Sequence, residues 1–395
     1  MAGLKFLNVK LINRMKKLIL KVSEYKLVFI SVVFLVILSF GCAKKDEKEI
    51  KIGAILPLTG DYAMYGKYDL QGIELALDDA INEGTIPKGE IKLFVEDGQT
   101  DPAKGTAAFL KLVNANKVSA VIAVTSGIVL AIKPIANKKK VVLINASAIS
   151  TEIENADDYC FSVIPSAEVE GSFLAEFAFK KLDKRNAGIL YRNDQSGISF
   201  KNIFARCFTK LGGEIVYEEP HLPEERDFRT YITKISAIKE MNVLFMASYG
   251  PEVALYLRQA KELRVSKQVL TYTPFYSPKV LEIGGPAVNG GFFTVPNFDP
   301  NSSEPIIEEL KRKVLEKYNQ SEVNYYIASH YDAMSLLIDA IKHGNNSGES
   351  IRQYIRNLDS FAGITGHIEF DKNGAAYVPM KIFTVQDLKF VEFEK

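Results

Sequence analysis

The sequence predicts an α/β protein of two lobes, each a parallel sheet covered by helices. Three observations carry this. The stretch from Ile50 to Gly84, IKIGAILPLTGDYAMYGKYDLQGIELALDDAINEG, reads as a buried strand, a loop and an amphipathic helix. The same strand-then-helix grammar recurs through two successive halves, as far as Gly290. From Thr365 the chain instead alternates and carries a DKNG turn, the pattern of antiparallel hairpins.

In the first unit, Ile50, Ile52, Ile55 and Leu56 form an apolar run stopped by Pro57, and Gly60 with Asp61 marks a turn. Leu70, Ile73, Leu77 and Ile81 recur three or four apart, so they share a helix face that packs on a sheet, and Gly84 closes that helix. The loop between them, LTGDYAMYG, sits at the C-terminal end of a strand, where open α/β sheets place ligand sites. Its Thr59, Asp61, Tyr62 and Tyr65 read equally as ligand contacts or as a plain turn. Gly60 to Tyr68 resembles a phosphate-cradling loop. However, five residues separate the glycines and Tyr68 replaces the hydroxyl that would hold magnesium, which excludes a nucleotide there.

Ile91 to Val95 is the second strand, and Asp101-Pro102 supplies a cap and first-turn proline for a helix over Ala103 to Val113. Val118 to Val124 is the third strand, ending in Thr125-Ser126-Gly127, and Val141 to Ile144 the fourth, ending in Asn145-Ala146-Ser147. Right-handed crossovers bring these loops to one sheet edge. Tyr159 to Ile164 then leads into a second round: helix Ala167 to Leu182, strand Ala187 to Arg192, helix Ile198 to Leu211 and strand Glu214 to Tyr217. Helix Phe228 to Ile238, capped by Asp227, strand Val243 to Ala247 and helix Glu252 to Leu263 follow. Strand Gly291 to Val295 and helices Glu304 to Tyr318, Tyr325 to His343 and Ser350 to Leu358 precede the hairpins.

The N-terminus has a different grammar. Leu27 to Gly41 is continuously apolar and follows seven Lys/Arg, as in an export signal, and is short for a membrane-spanning helix. It ends in Gly41-Cys42 and polar AKKDEKE, which resembles a bacterial lipoprotein signal. That resemblance implies removal of residues 1–41, lipid on Cys42 and a charged tether over 42–49. Leu38 lies one position further from Cys42 than is usual, and Phe40 is bulky beside the cleavage point, so a spanning anchor is the alternative. Either one exports the body of the chain. Met15-Lys16-Lys17 would also make a signal start, so translation begins at Met1 or Met15.

Removing residues 1–41 leaves 42 basic and 47 acidic residues, a formal charge of −5, so nucleic-acid binding is not suggested. Cys160 and Cys207 read as buried thiols or as a pair. His221, His330, His343 and His367 are scattered without H-E-x-x-H spacing, and there is neither a G-x-S-x-G elbow nor a paired-cysteine metal motif. An enzyme, a metal site and a cofactor are therefore not expected.

Taken in order, IGAILPLTGDYAMYG, GIELALDDAINEG, VEDGQTDPAKG, ASYGPE followed by YLRQAKEL, and ITGHIEFDKNG resemble the type I periplasmic binding proteins, especially the substrate-binding proteins of branched-chain amino acid ABC transporters. The resemblance runs from Lys51 to the C-terminus. It implies two doubly wound parallel-sheet lobes joined by a three-crossover hinge, with residues 50–163 plus 296–362 in one and 164–295 plus 363–395 in the other. It further implies a monomer that closes on a small solute and delivers it to a membrane permease. A module of the same fold that reports ligand occupancy to a membrane receptor is the alternative.

By motif position the resemblance places Tyr65 and Tyr249 as ligand-facing aromatics, Ser126 as the serine holding a ligand carboxylate, and Ser147 as a carbonyl meeting an ammonium. Each tyrosine reads alternatively as partly buried core. Three family positions depart: Ile149 and Thr273 replace a threonine and an acid, and Ser196 replaces a closing tyrosine. No Asp or Glu lies within five residues of Thr273, while Tyr272, Phe275 and Tyr276 crowd it, so the ammonium partner is expected to be missing unless Asp194 or Glu252 supplies it. Burying an unpaired ammonium costs several kcal/mol. The expected ligand is therefore an apolar or aromatic small carboxylate, or a neutral metabolite, in preference to leucine, isoleucine or valine.

Overall fold

The computed structural model describes Met15, residues 49–153 and residues 158–393. The signal segment, Cys42 and all of the tether but Glu49 lie outside the described residues.

β1 (Ile50–Leu56), β2 (Ile91–Asp97), β3 (Ala120–Ala123), β4 (Val142–Asn145) and β5 (Cys160–Ser162) form a parallel sheet in the order 2-1-3-4-5. Helices α1 (Ala63–Asn82), α2 (Pro102–Lys111) and α3 (Ser126–Lys139) follow the first three strands. Asp101 accepts from the Ala103 and Lys104 N–H groups at 2.8 and 2.9 Å, with Pro102 in the first turn, as the sequence predicts. Val142 and Ile144 enter the core on one face of β4 and Leu143 on the other. Apolar residues on both faces are what a parallel sheet needs, since helices cover it on both sides.

The second round supplies α4 (Ala167–Glu176), β6 (Asn186–Arg192), α5 (Gln195–Lys210), β7 (Glu214–His221), α6 (Arg229–Ala237), β8 (Val243–Ala247) and α7 (Gly250–Glu262). β9 (Val269–Thr271) and α8 (Pro278–Gly284) follow, and neither is visible in the sequence because both are too short to show a period. β10 (Phe292–Pro296) ends the parallel series. α9 (Pro305–Tyr318), α10 (Tyr325–Lys342) and α11 (Gly348–Arg356) come next, then the small antiparallel sheet of β11 (Ser360–Gly363), β12 (Gly366–Phe370) and β13 (Ala376–Tyr377). β14 (Met380–Gln386), antiparallel to β10, and β15 (Lys389–Glu392), antiparallel to β14, complete the second sheet, in the order 15-14-10-9-8-6-7.

β7 runs four residues past its predicted end, through Pro220, which an edge strand tolerates because it has a neighbour on one side only. The DKNG turn forms as expected: Asp371 Oδ1 accepts from Asn373 and Ala375, and Gly374 has φ +84°. Its tip reaches the first sheet, where the Ser162 N–H donates to the Gly374 carbonyl at 2.9 Å. Cys160 is buried, Cys207 is half-buried, and no disulfide joins them. No described helix is long and apolar enough to cross a membrane.

The face of α1 differs from the expectation. Of Leu70, Ile73, Leu77 and Ile81 only Ile73 is fully buried, and the deepest line runs through Tyr65, Asp69, Gly72, Ile73 and Ala76. The cause is a second neighbour, because α10 packs on α1 as well as the sheet. A Cβ on Gly72 would stand 2.2 Å from the Ile327 carbonyl oxygen and 2.8 Å from the Tyr331 nitrogen, so the helices touch backbone to backbone. Gly72→Ala is accordingly expected to destabilise the fold by about 1–3 kcal/mol through overpacking, read as a lower midpoint in urea denaturation.

Candidate ligand-binding site

Strand order reverses between β1 and β3 in one sheet and between β6 and β8 in the other. Loops leaving neighbouring strands diverge at such points and open a crevice at the carboxyl edge. The two crevices face each other across a cavity of about 70 Å³. At roughly 10–15 Å³ per water, that is space for about five waters, the scale of a small solute.

Six of the seven residues expected at the site line this cavity: Tyr65, Ser147, Ile149, Ser196, Tyr249 and Thr273. Ser126 does not. Its Oγ accepts from the Ile149 and Ser150 N–H groups, each at 3.1 Å, and lies 3.1 Å from Ser196 Oγ, so the hydroxyl fastens the β4 loop to the start of α3. The neighbouring Thr125 faces the cavity instead. Its Oγ1 is buried without a hydrogen-bond partner, and its backbone sits at φ +62°, a strained conformation for a β-branched residue. Strain of this kind persists only where the surroundings impose it, and here it aims a hydroxyl beside the N-terminus of a 14-residue helix, a position that favours anions.

One acid in the cavity stands beside Thr273. Glu170, on α4, lines the cavity, and its Oε1 accepts from the Thr273 N–H at 3.1 Å, Thr273 Oγ1 at 2.6 Å and Thr294 Oγ1 at 2.5 Å. It lies 103 positions before Thr273, beyond any local search of the sequence. Burial pushes its carboxyl above the usual range, while the three donors pull the other way. Asp194 and Glu252, the acids the sequence offered, are engaged elsewhere and outside the lining: Asp194 caps α5 at Gly197, and both pair with Arg192.

A second acid, Asp69 on α1, also lines the cavity and is only 1% exposed. Neither of its oxygens accepts a hydrogen bond. His330 Nδ1 stands 3.2 Å from Oδ1, but it also lies 2.9 Å from the Tyr326 carbonyl, and burial holds this imidazole neutral, down to about 3. The Asp69 carboxyl is itself pushed well up by burial. The tyrosine side of the cavity comprises Tyr62, Tyr65, Tyr249, Tyr272, Tyr325 and Tyr326, and no described lining residue is Lys, Arg or His.

Arg192 is close but committed. Its Nε donates to Asp194 at 2.5 Å and its Nη1 to Glu252, to Tyr62 Oη and to the Pro223 carbonyl, with the guanidinium 4.7 Å from the Tyr249 ring centre. The Tyr62 hydroxyl in turn donates to Glu252 at 2.6 Å, so one tyrosine of the first lobe plugs an ion pair of the second. Asp61 with Arg226, Ser150 with Ser199, and Tyr65 Oη with the Pro274 carbonyl also join the lobes. Tyr62→Phe deletes hydrogen bonds to charged groups worth about 1.5–3 kcal/mol. The expected result is a shift of the lobes towards an open arrangement by about tenfold or more, read as a larger radius of gyration in small-angle scattering.

The family model described as "Periplasmic binding protein" matches residues 49–389. The leucine-, isoleucine-, valine-, threonine- and alanine-binding protein of Pseudomonas aeruginosa is 24% identical over 343 residues, covering 86% of this chain and 90% of that one. The crystal structure of a leucine-binding protein from Thermotoga maritima superposes with a TM-score of 0.79 at 27% identity, covering 87% of this chain and 98% of that one. An ABC-transporter solute-binding protein of R. palustris, in complex with benzoate, has a TM-score of 0.78 at 18% identity, covering 87% of this chain and 95% of that one. Two lobes built of parallel-rich sheets, with facing crevices and a family match over most of the length, lead to one assignment: the chain belongs to the periplasmic binding protein family, with the type I fold, and is a binding protein and not an enzyme.

Proposed function

We propose that this protein is the solute-binding component of an ABC transporter, exported, tethered to the outer face of a membrane by lipid on Cys42, and acting as a monomer that passes an amino-acid-like solute to a permease. The observation that supports it most is the pairing of opposite ends in one small cavity. Thr125 and the start of α3 suit a carboxylate, and Glu170 suits an ammonium. Tyr65 and Tyr249 offer flat apolar faces for the body between them. Relatives are named for branched-chain amino acids and for benzoate, so the fold accepts more than one chemistry and the lining decides.

A solute that binds the folded state alone stabilises it by mass action, about 2.7 kcal/mol at a hundredfold excess over Kd. A panel of α-amino acids and small aromatic acids, screened by melting temperature, is expected to contain members that raise it and reduce the radius of gyration. Tethering is tested separately. Cys42→Ser is expected to move the protein from the membrane fraction to the soluble one; a variant that stays bound and unprocessed would mean that Leu27 to Gly41 is an uncleaved anchor.

A further inference from the structure

Of the two acids that line the cavity, Glu170 has three donors and Asp69 has none. A carboxylate that is almost wholly buried, with both oxygens unpaired, is costly, and native proteins rarely keep one without a reason. The ordinary remedies are absent. His330, the one titratable base in contact, is buried, neutral and also within 2.9 Å of the Tyr326 carbonyl. Arg192 is consumed by Asp194, Glu252 and Tyr62. The cavity that Asp69 lines is rich in aromatic residues. Tyr65 lies one helical turn before it on α1, and the Tyr65 and Tyr326 ring centres are 4.8 Å apart. Tyrosine faces attract cations, most strongly where water is excluded. An uncompensated acid in a tyrosine-rich lining with no base among the described residues offers a cation both charge and surface.

We propose that Asp69 is a second cation subsite of this cavity, so that the solute carries two positive groups, one at Glu170 and one at Asp69, as a short diamine or a small basic amino acid does. This rests on the solute-binding reading and narrows it to a ligand class. The two carboxylates then balance the two ligand charges, and a carboxylate on the ligand, where present, faces Thr125. Solutes with a single ammonium, such as leucine, leave Asp69 unpaired, and aromatic acids bring a negative charge with no positive group for either carboxylate. The size of the cavity favours short chains.

The test is titration calorimetry on the full-length protein with ornithine, lysine and 1,4-diaminobutane against leucine and benzoate, in one buffer. At least one of these three solutes, called dications here for their two ammonium groups, is expected to bind at least tenfold more tightly than leucine. Asp69→Asn, which keeps shape and removes the charge, is expected to cut that dication's affinity at least tenfold and to shrink its ratio to leucine. The wild-type ranking needs no variant, so a folding defect in Asp69→Asn cannot hide the answer. Leucine or benzoate binding as tightly as the best dication would overturn the inference while leaving the solute-binding reading intact, as would an unchanged ratio in folded Asp69→Asn. Absence of heat and of any melting shift with all five solutes would overturn both.

Discussion

A parallel strand ladder has no face it can leave to water, and that constraint shapes everything else in this molecule. Parallel neighbours need crossovers, most of them here made by a helix that returns over one face or the other, so the parallel strands of each sheet start at one edge and end at the opposite one. The ending edge collects the irregular backbone. With two sheets presenting that edge to each other, the loops after β1, β3 and β4 meet those after β8 and β9, and the cavity is a consequence of covering Val, Ile and Leu. Close packing then makes the lobes stiff. The backbone contact of α1 and α10 at Gly72 fixes the helix that carries Tyr65 and Asp69, so both enter the cavity from a rigid support.

Inside the cavity the governing quantity is charge in a dry place. Glu170 has three donors on one oxygen and is held in a defined orientation, whereas Asp69 has none. Both carboxyls are pushed upward by burial, which favours their protonated forms, and a cation arriving beside them favours the carboxylate instead. Placing Arg192 one layer out, bonded to Glu252 and Asp194, keeps its positive charge from neutralising the site.

The fold was readable because its signals are local. Strand, turn and cap each occupy a few neighbouring residues, and Asp101-Pro102 or the DKNG turn need no partner from afar. Motif order likewise located Tyr65, Ser147, Ile149, Ser196, Tyr249 and Thr273 around one cavity. What sequence could not provide was pairing between distant elements. Glu170 reaches Thr273 and Thr294 through tertiary packing alone. No short stretch of sequence around Thr273 contains it. Asp69 and Glu170 did carry one signal: each is an acid on the buried stripe of its helix, beside Ile73 and Ala76 in one case and Leu174 and Ala175 in the other. Ser126 shows the opposite side of the matter, since a hydroxyl at a helix start serves a neighbouring loop as readily as a ligand, and here it accepts from the loop after β4.

The bonds that join the lobes outside the cavity, Asp61 to Arg226 and Ser150 to Ser199, carry a thermodynamic meaning of their own. They form whenever the lobes meet and are blind to what lies between them. Their free energy is therefore a common offset that multiplies every association constant by one factor, while the lining sets the ratios among solutes. Evolution on the rim would tune how much solute the protein holds at a given concentration, and evolution on the lining would change which solute it is. The architecture thus separates sensitivity from identity, on different residues of the same closing surface.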